Sequence, residues 1–93
     1  MTSTTYRGAQ NLIKRGDEQA LRTALEEGLN PNLANQNGWT LLMLAAVEGS
    51  VHLGRLLIEK GADLAAMNRK GETALSIATA KGHTAFAELL SSL

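Results

Sequence analysis

Apolar residues in this chain fall in short bursts with helical spacing, and the bursts come in pairs. In mid-sequence Leu41, Leu42, Leu44, Ala45 and Ala46 form one burst. Leu53, Leu56 and Leu57 form the next at i, i+3 and i+4, which puts them on one face of a helix with His52, Arg55 and Glu59 on the wet side. The same spacing returns at Phe86, Leu89 and Leu90, and a related stripe runs through Ala20, Leu21, Ala24 and Leu25. Polar and glycine signals sit at the joints. Thr40 precedes one burst and Asp17 the Ala20 stripe, both side chains able to accept from a free N–H of a first helical turn. Gly49 and Gly61 follow the two central bursts, where an achiral residue takes the left-handed conformation of a tight helix stop. The pattern predicts helices near residues 7 to 15, 17 to 27, 40 to 48, 50 to 60, 73 to 81 and 83 to 92.

The joints also keep a fixed distance. Gly16, Gly49 and Gly82 stand 33 residues apart, as do Gly28 with Gly61 and Gly38 with Gly71, so one structural unit is repeated three times. The central copy reads Asn37-Gly38-Trp39-Thr40-Leu41-Leu42-Met43-Leu44-Ala45-Ala46-Val47-Glu48-Gly49 and then Leu56-Leu57-Ile58-Glu59-Lys60-Gly61-Ala62-Asp63. At that period it resembles the ankyrin-repeat family over nearly the whole chain. The resemblance implies an all-α ankyrin-repeat solenoid of helix-turn-helix units joined by β-hairpin-like loops. It implies a single domain over 1–93 with repeats at approximately 6–34, 35–67 and 68–93, the first an abridged N-terminal capping repeat. The stretch from Ala62 to Lys70, ahead of Gly71, would form a hairpin projecting sideways, and Gly28-Leu29-Asn30-Pro31-Asn32 matches the turn that closes a repeat, with Pro31 fixing its own φ.

Two departures from the family pattern matter. The usual Thr-Pro-Leu-His tetrapeptide appears as Thr40-Leu41-Leu42-Met43 and Thr73-Ala74-Leu75-Ser76. In the family the histidine ties neighbouring hairpins, so its loss removes hydrogen bonds worth about 0.5–1.5 kcal/mol each and predicts a looser seam between repeats. Met43 would offset part of this, because an unbranched thioether fills irregular gaps. A stacked array also needs about three repeats to be stable, which puts this chain near the minimum.

Composition narrows the function. A chain of 93 residues makes one small core and buries only about 60% of its unfolded surface, so its stability margin is thin. Without cysteine there is no disulfide framework and no thiolate metal site, which fits a reducing compartment and makes the cytoplasm the expected location. Met1-Thr2-Ser3-Thr4-Thr5 leads into no apolar stretch of the secretory kind, and no apolar run approaches the roughly 20 residues that span a bilayer. Nine basic and nine acidic side chains cancel, removing the long-range attraction of a typical nucleic-acid or anionic-membrane binder.

Candidate chemistry is sparse. Two histidines alone do not supply the three protein ligands of a catalytic zinc site. His83, directly after Gly82, matches a histidine the family often places at the start of a second helix, a structural role, and His52 falls on a solvated face. Glu26 and Glu27 diverge by about 100° on a helix and form no acid pair. The glycines have the spacing of helix stops, not of a phosphate loop. The expectation is a chain that is not an enzyme, with no catalytic residue, cofactor or metal.

What remains is a surface. The resemblance implies a concave face made of hairpin tips and first-helix ends, here Gln36, Asn37, Trp39, Met67, Arg69, Lys70 and Glu72 with Lys14, Arg15, Val47, Glu48, Ala80 and Lys81. Trp39, the single tryptophan, either docks a partner, as tryptophan does at interface hot spots, or lies flat over the neighbouring hairpin and shields its backbone. Five cations (Lys14, Arg15, Arg69, Lys70, Lys81) face two carboxylates (Glu48, Glu72) on that surface, an excess of three in a neutral chain that would steer an acidic partner. The first reading is a protein-binding adaptor, inhibitor or neutralising partner that is itself monomeric. The alternative is a structural scaffold or a fragment of a larger ankyrin protein, stacking on copies of itself through Leu12 and Ile13 at one end and Phe86, Leu90 and Leu93 at the other. Nucleic-acid binding ranks below both, because only Trp39 could stack on a base.

Overall fold

The computed structural model describes residues 4–93; Met1, Thr2 and Ser3, part of the N-terminal segment read above, lie outside the described residues. Six helices follow in order: α1 Tyr6–Arg15, α2 Glu18–Glu26, α3 Leu41–Glu48, α4 Val51–Glu59, α5 Ala74–Ala80 and α6 Thr84–Ser91. Among the described residues the β structure is one isolated antiparallel bridge, Ala34 to Thr40. The predicted starts 17, 40, 50, 73 and 83 are all N-cap residues, and the predicted ends 27, 60, 81 and 92 are C-caps. Cap residues carry the polar signal of a helix end without its dihedral angles, so spans read from signals run one residue long. The caps are made as expected: Asp17 Oδ1 accepts from Ala20 N at 3.1 Å, Thr40 Oγ1 from Met43 N at 3.2 Å, and Ser50 Oγ from Leu53 N at 3.4 Å.

The helices form two layers. The first helices stack as α1, α3, α5 and the second helices as α2, α4, α6, with α3 and α4 in the middle of their layers. Leu41, Leu42 and Met43 of α3 and Leu53 and Leu57 of α4 are buried, because both sides of the central unit meet a neighbour. Phe86 of α6 is also fully buried, and its ring rests on the backbone of Gly54 in α4. The first copy has both helices at full length. α1 begins two positions earlier in the repeat than α3, because Thr5 caps it through Gly8 N at 3.2 Å and no hairpin breaks it there.

Other side chains stand where the family histidines are missing. Met43 is buried in one such position, and in the other Ser76 closes a capping box, its Oγ accepting from Thr73 N at 2.9 Å while Thr73 Oγ1 accepts from Ser76 N at 3.1 Å. Other groups bridge the repeats. Arg69 N donates to Asn37 O at 3.0 Å, Asn32 Nδ2 donates to Gly61 O at 3.1 Å, and Asp63 N donates to Asn32 Oδ1 at 2.7 Å. His83 Nε2 lies 2.9 Å from Val47 O, and because a carbonyl only accepts, that nitrogen carries the hydrogen.

Burial corrects three of the five proposed stacking contacts: Ile13, Phe86 and Leu90 are committed to the chain's own core, while Leu12 is half-buried and Leu93 is exposed. On the outer face of the last repeat, Ser76, Thr79 and Ser91 are exposed at positions where the central repeat has Met43, Ala46 and Ile58.

Candidate protein-binding face

The face is shaped by two asparagines one period apart. Asn35 Oδ1 accepts from Asn37 N at 2.9 Å and Trp39 N at 3.0 Å; Asn68 Oδ1 accepts from Lys70 N and Glu72 N, both at 3.0 Å. Each side chain mimics a backbone turn and so fixes its hairpin. The backbones close the same loops, Asn35 N to Trp39 O at 3.1 Å and Asn68 N to Glu72 O at 3.0 Å. Gly38 is required at the tip twice over. Its φ is +81°, and a Cβ there would lie 3.0 Å from Asn68 Cα, so the second hairpin approaches the first only because the side chain is missing.

Trp39 leaves the first hairpin and stands half-buried against the core, between two depressions. The first, about 280 Å³, is lined by Gln10, Ile13 and Lys14 of α1, by Leu44, Val47 and Glu48 of α3, and by the indole. The second, about 360 Å³, is lined by Asn37, Asn68, Arg69, Lys70 and again Trp39. The indole N–H makes no hydrogen bond to a described residue, and neither do the side chains of Arg69 and Lys70.

Of the residues expected on this face, the structure brings Lys14, Trp39, Val47 and Glu48 together in one depression and Asn37, Trp39, Arg69 and Lys70 in the other. Gln36, Met67, Glu72, Ala80 and Lys81 line neither. Met67 is 64% exposed, and Glu72 is turned into its own hairpin, where its Oε1 accepts from Asn68 Nδ2 at 2.8 Å. Arg15 pairs with Asp17 at 3.3 Å, so its charge is locally offset. Sequence reasoning missed Gln10, Ile13, Leu44 and Asn68. Gln10, Ile13 and Lys14 have i, i+3, i+4 spacing and share a face of α1, a signal that was legible.

Elsewhere the chemistry is thin. Tyr6 Oη is buried without a hydrogen-bond partner among the described residues, and burial pushes its phenol pKa up. No helix among the described residues is long and apolar enough to cross a membrane. The other ion pairs tie second helices, Arg22 to Glu18 at 3.5 Å and to Glu59 at 3.4 Å.

Residues 10–93 match the family profile described as ankyrin repeats, three copies. The chain belongs to the ankyrin-repeat family. Among ankyrin-repeat relatives, the human Notch-regulated ankyrin repeat-containing protein is 34% identical over 83 residues, covering 85% of this chain and 73% of that protein. The human NAD-capped RNA hydrolase NUDT12 is 42% identical over 64 residues, 66% of this chain, and the Drosophila melanogaster ankyrin repeat and KH domain-containing protein mask is 39% identical over 78 residues, 82% of this chain. This chain spans only 14% of the hydrolase and 2% of mask, so each likeness concerns a small part of a much larger protein. Ankyrin repeats are in general protein-protein interaction modules, an organisation that needs no reactive group.

The ankyrin hairpins give a direct prediction. Asn68 is buried and its side chain makes three hydrogen bonds, so Asn68→Ala is expected to lower stability by about 1–3 kcal/mol in urea unfolding. Asn68→Asp keeps the acceptor oxygen but sets a carboxylate against that of Glu72, and should recover only part of the loss.

Proposed function

We propose that this ankyrin-repeat chain is a non-enzymatic protein-binding module, an adaptor, inhibitor or neutralising partner, that docks its partner on the concave face centred on Trp39. The observation that carries the reading is Trp39 itself, half-buried, lining both depressions, with its indole N–H bonded to no described residue. Tryptophan and arginine are the residues most enriched at hot spots, and here Trp39 and Arg69 line one depression. Docking would be largely rigid-body, since both hairpins are already closed by their asparagines. Arg69 and Lys70, without ion-pair partners among the described residues, support an acidic partner, whose association should slow as salt is raised; a salt-independent on-rate would sink that part of the reading.

The test is affinity capture from a lysate of the source cells with the wild-type chain and with Trp39→Ala/Arg69→Glu, after circular dichroism shows that both are folded. Bound proteins are identified by mass spectrometry. The expected result is a protein retained by the wild type and lost by the variant, with an affinity drop of about thirtyfold or more for the loss of a hot-spot tryptophan. Equal capture by both would remove the binding face from this surface.

A further inference from the structure

We propose that the two depressions flanking Trp39 form one bipartite site for an acidic linear peptide, with an apolar side chain seated between α1 and α3 and a neighbouring carboxylate held by Arg69 and Lys70. This rests on the protein-binding reading above and specifies its ligand.

The two halves differ in chemistry. The first is walled by Ile13, Leu44, Val47 and Trp39, and at its rim Lys14 and Glu48 offset each other, so it carries no net charge. Its volume of about 280 Å³ admits one aliphatic or aromatic side chain. The second carries Arg69 and Lys70 and no acid, and neither cation has an ion-pair partner among the described residues. Trp39 lines both halves, so the two ligand groups bind beside the same residue. An extended peptide advances about 3.3 Å per residue, which places the carboxylate within about two residues of the apolar anchor.

Charge complementarity selects a peptide over other anions. A polyanion such as a nucleic acid or an anionic membrane presents many charges, whereas Arg69 and Lys70 are the only uncompensated charges lining the two depressions, Lys14 and Glu48 cancelling in the apolar half. The chain's net charge of zero adds no attraction at distance. A single acidic residue beside an apolar one meets every group of the site: the stem in the cleft, the carboxylate on the two cations, and a backbone carbonyl within reach of the indole N–H.

A displayed library of random linear peptides, selected on the wild-type chain and in parallel on Arg69→Gln/Lys70→Gln and Trp39→Ala, tests this directly. Enriched peptides are then synthesised and titrated by the fluorescence of Trp39, the single tryptophan. The expected winners carry Asp or Glu within two residues of a Leu, Ile, Phe or similar anchor. Changing that acid to its amide, or Arg69 and Lys70 to Gln, should weaken binding about three- to thirtyfold, and the loss should shrink at high salt. Winners without an acid, or winners that Arg69→Gln/Lys70→Gln binds equally well, would overturn the bipartite site while leaving docking on Trp39 intact. Winners indifferent to Trp39→Ala, or no winners at all, would overturn both. Arg69- and Lys70-dependent binding of a single-stranded oligonucleotide or anionic lipid vesicles, with no peptide bound, would overturn the choice of ligand.

Discussion

Phe86→Ala is expected to destabilise the protein by about 3–5 kcal/mol in urea unfolding followed by circular dichroism, the range for emptying a buried aromatic site. A native protein holds only about 5–15 kcal/mol in total, so this change alone takes a large part of the margin. Phe86 is fully buried and crosses from the last repeat to the central one, where its ring lies on Gly54. The contact has a partner signature. In an exposed helix Gly→Ala stabilises by about 1 kcal/mol, but a Cβ on Gly54 would lie 2.6 Å from Phe86 Cε2 and 2.8 Å from Cζ. Two packed helices fix both groups, so Gly54→Ala should destabilise, by about 1–3 kcal/mol as overpacking does. Combining Gly54→Ala with Phe86→Leu relieves the clash, and the double variant should be more stable than the additive sum of its two changes. An additive double variant, or a Phe86→Ala loss under about 1 kcal/mol, would show that the third repeat is not coupled through this ring.

Gly49→Ala is expected to lower stability by about 2–3 kcal/mol, through two effects that can be separated. Gly49 ends α3 at φ +70°, a conformation in which an L side chain costs about 1–2 kcal/mol. The added Cβ would also fall 2.5 Å from Nδ1 of His83, pushing the ring away from Val47 O and losing a hydrogen bond worth about 0.5–1.5 kcal/mol. In a His83→Ala background the second effect is gone, so Gly49→Ala should then cost only the backbone share. The difference between the two backgrounds measures how strongly His83 ties the third repeat to the second. Val47 also lines the apolar depression, so the same tie helps to hold one wall of that depression.

His83 illustrates what periodicity reveals. Asp17, Ser50 and His83 occupy one repeat position, the N-cap of the second helix. Asp17 and Ser50 cap their own helices through side-chain oxygens, whereas His83 makes no cap and reaches back to the previous repeat. The position was legible from the 33-residue spacing; the direction in which the imidazole points was not, because it depends on the open space above Gly49. The asparagines are a similar case. Asn35 and Asn68 share the period and fix both hairpins, yet a loop asparagine has many possible partners until the turn is built.

Helix positions, caps, stops and the repeat period were determined by the sequence alone, because each is a local matter of apolar spacing, a cap oxygen or a residue free to take positive φ. Thr40, Asp17 and Gly49 act where their chemistry said they would. Only the tertiary structure decided the seam between repeats and the two depressions beside Trp39. Nothing in the spacing of Gly54 and Phe86 shows that one is the seat of the other, nor that Asn32 would bridge to Gly61 and Asp63. Gln10, Ile13 and Trp39 meet only when α1 stacks on α3 and the first hairpin turns back. A depression belongs to the angle at which repeats stack, and that angle is set by side-chain volumes across the seam, which no local pattern records.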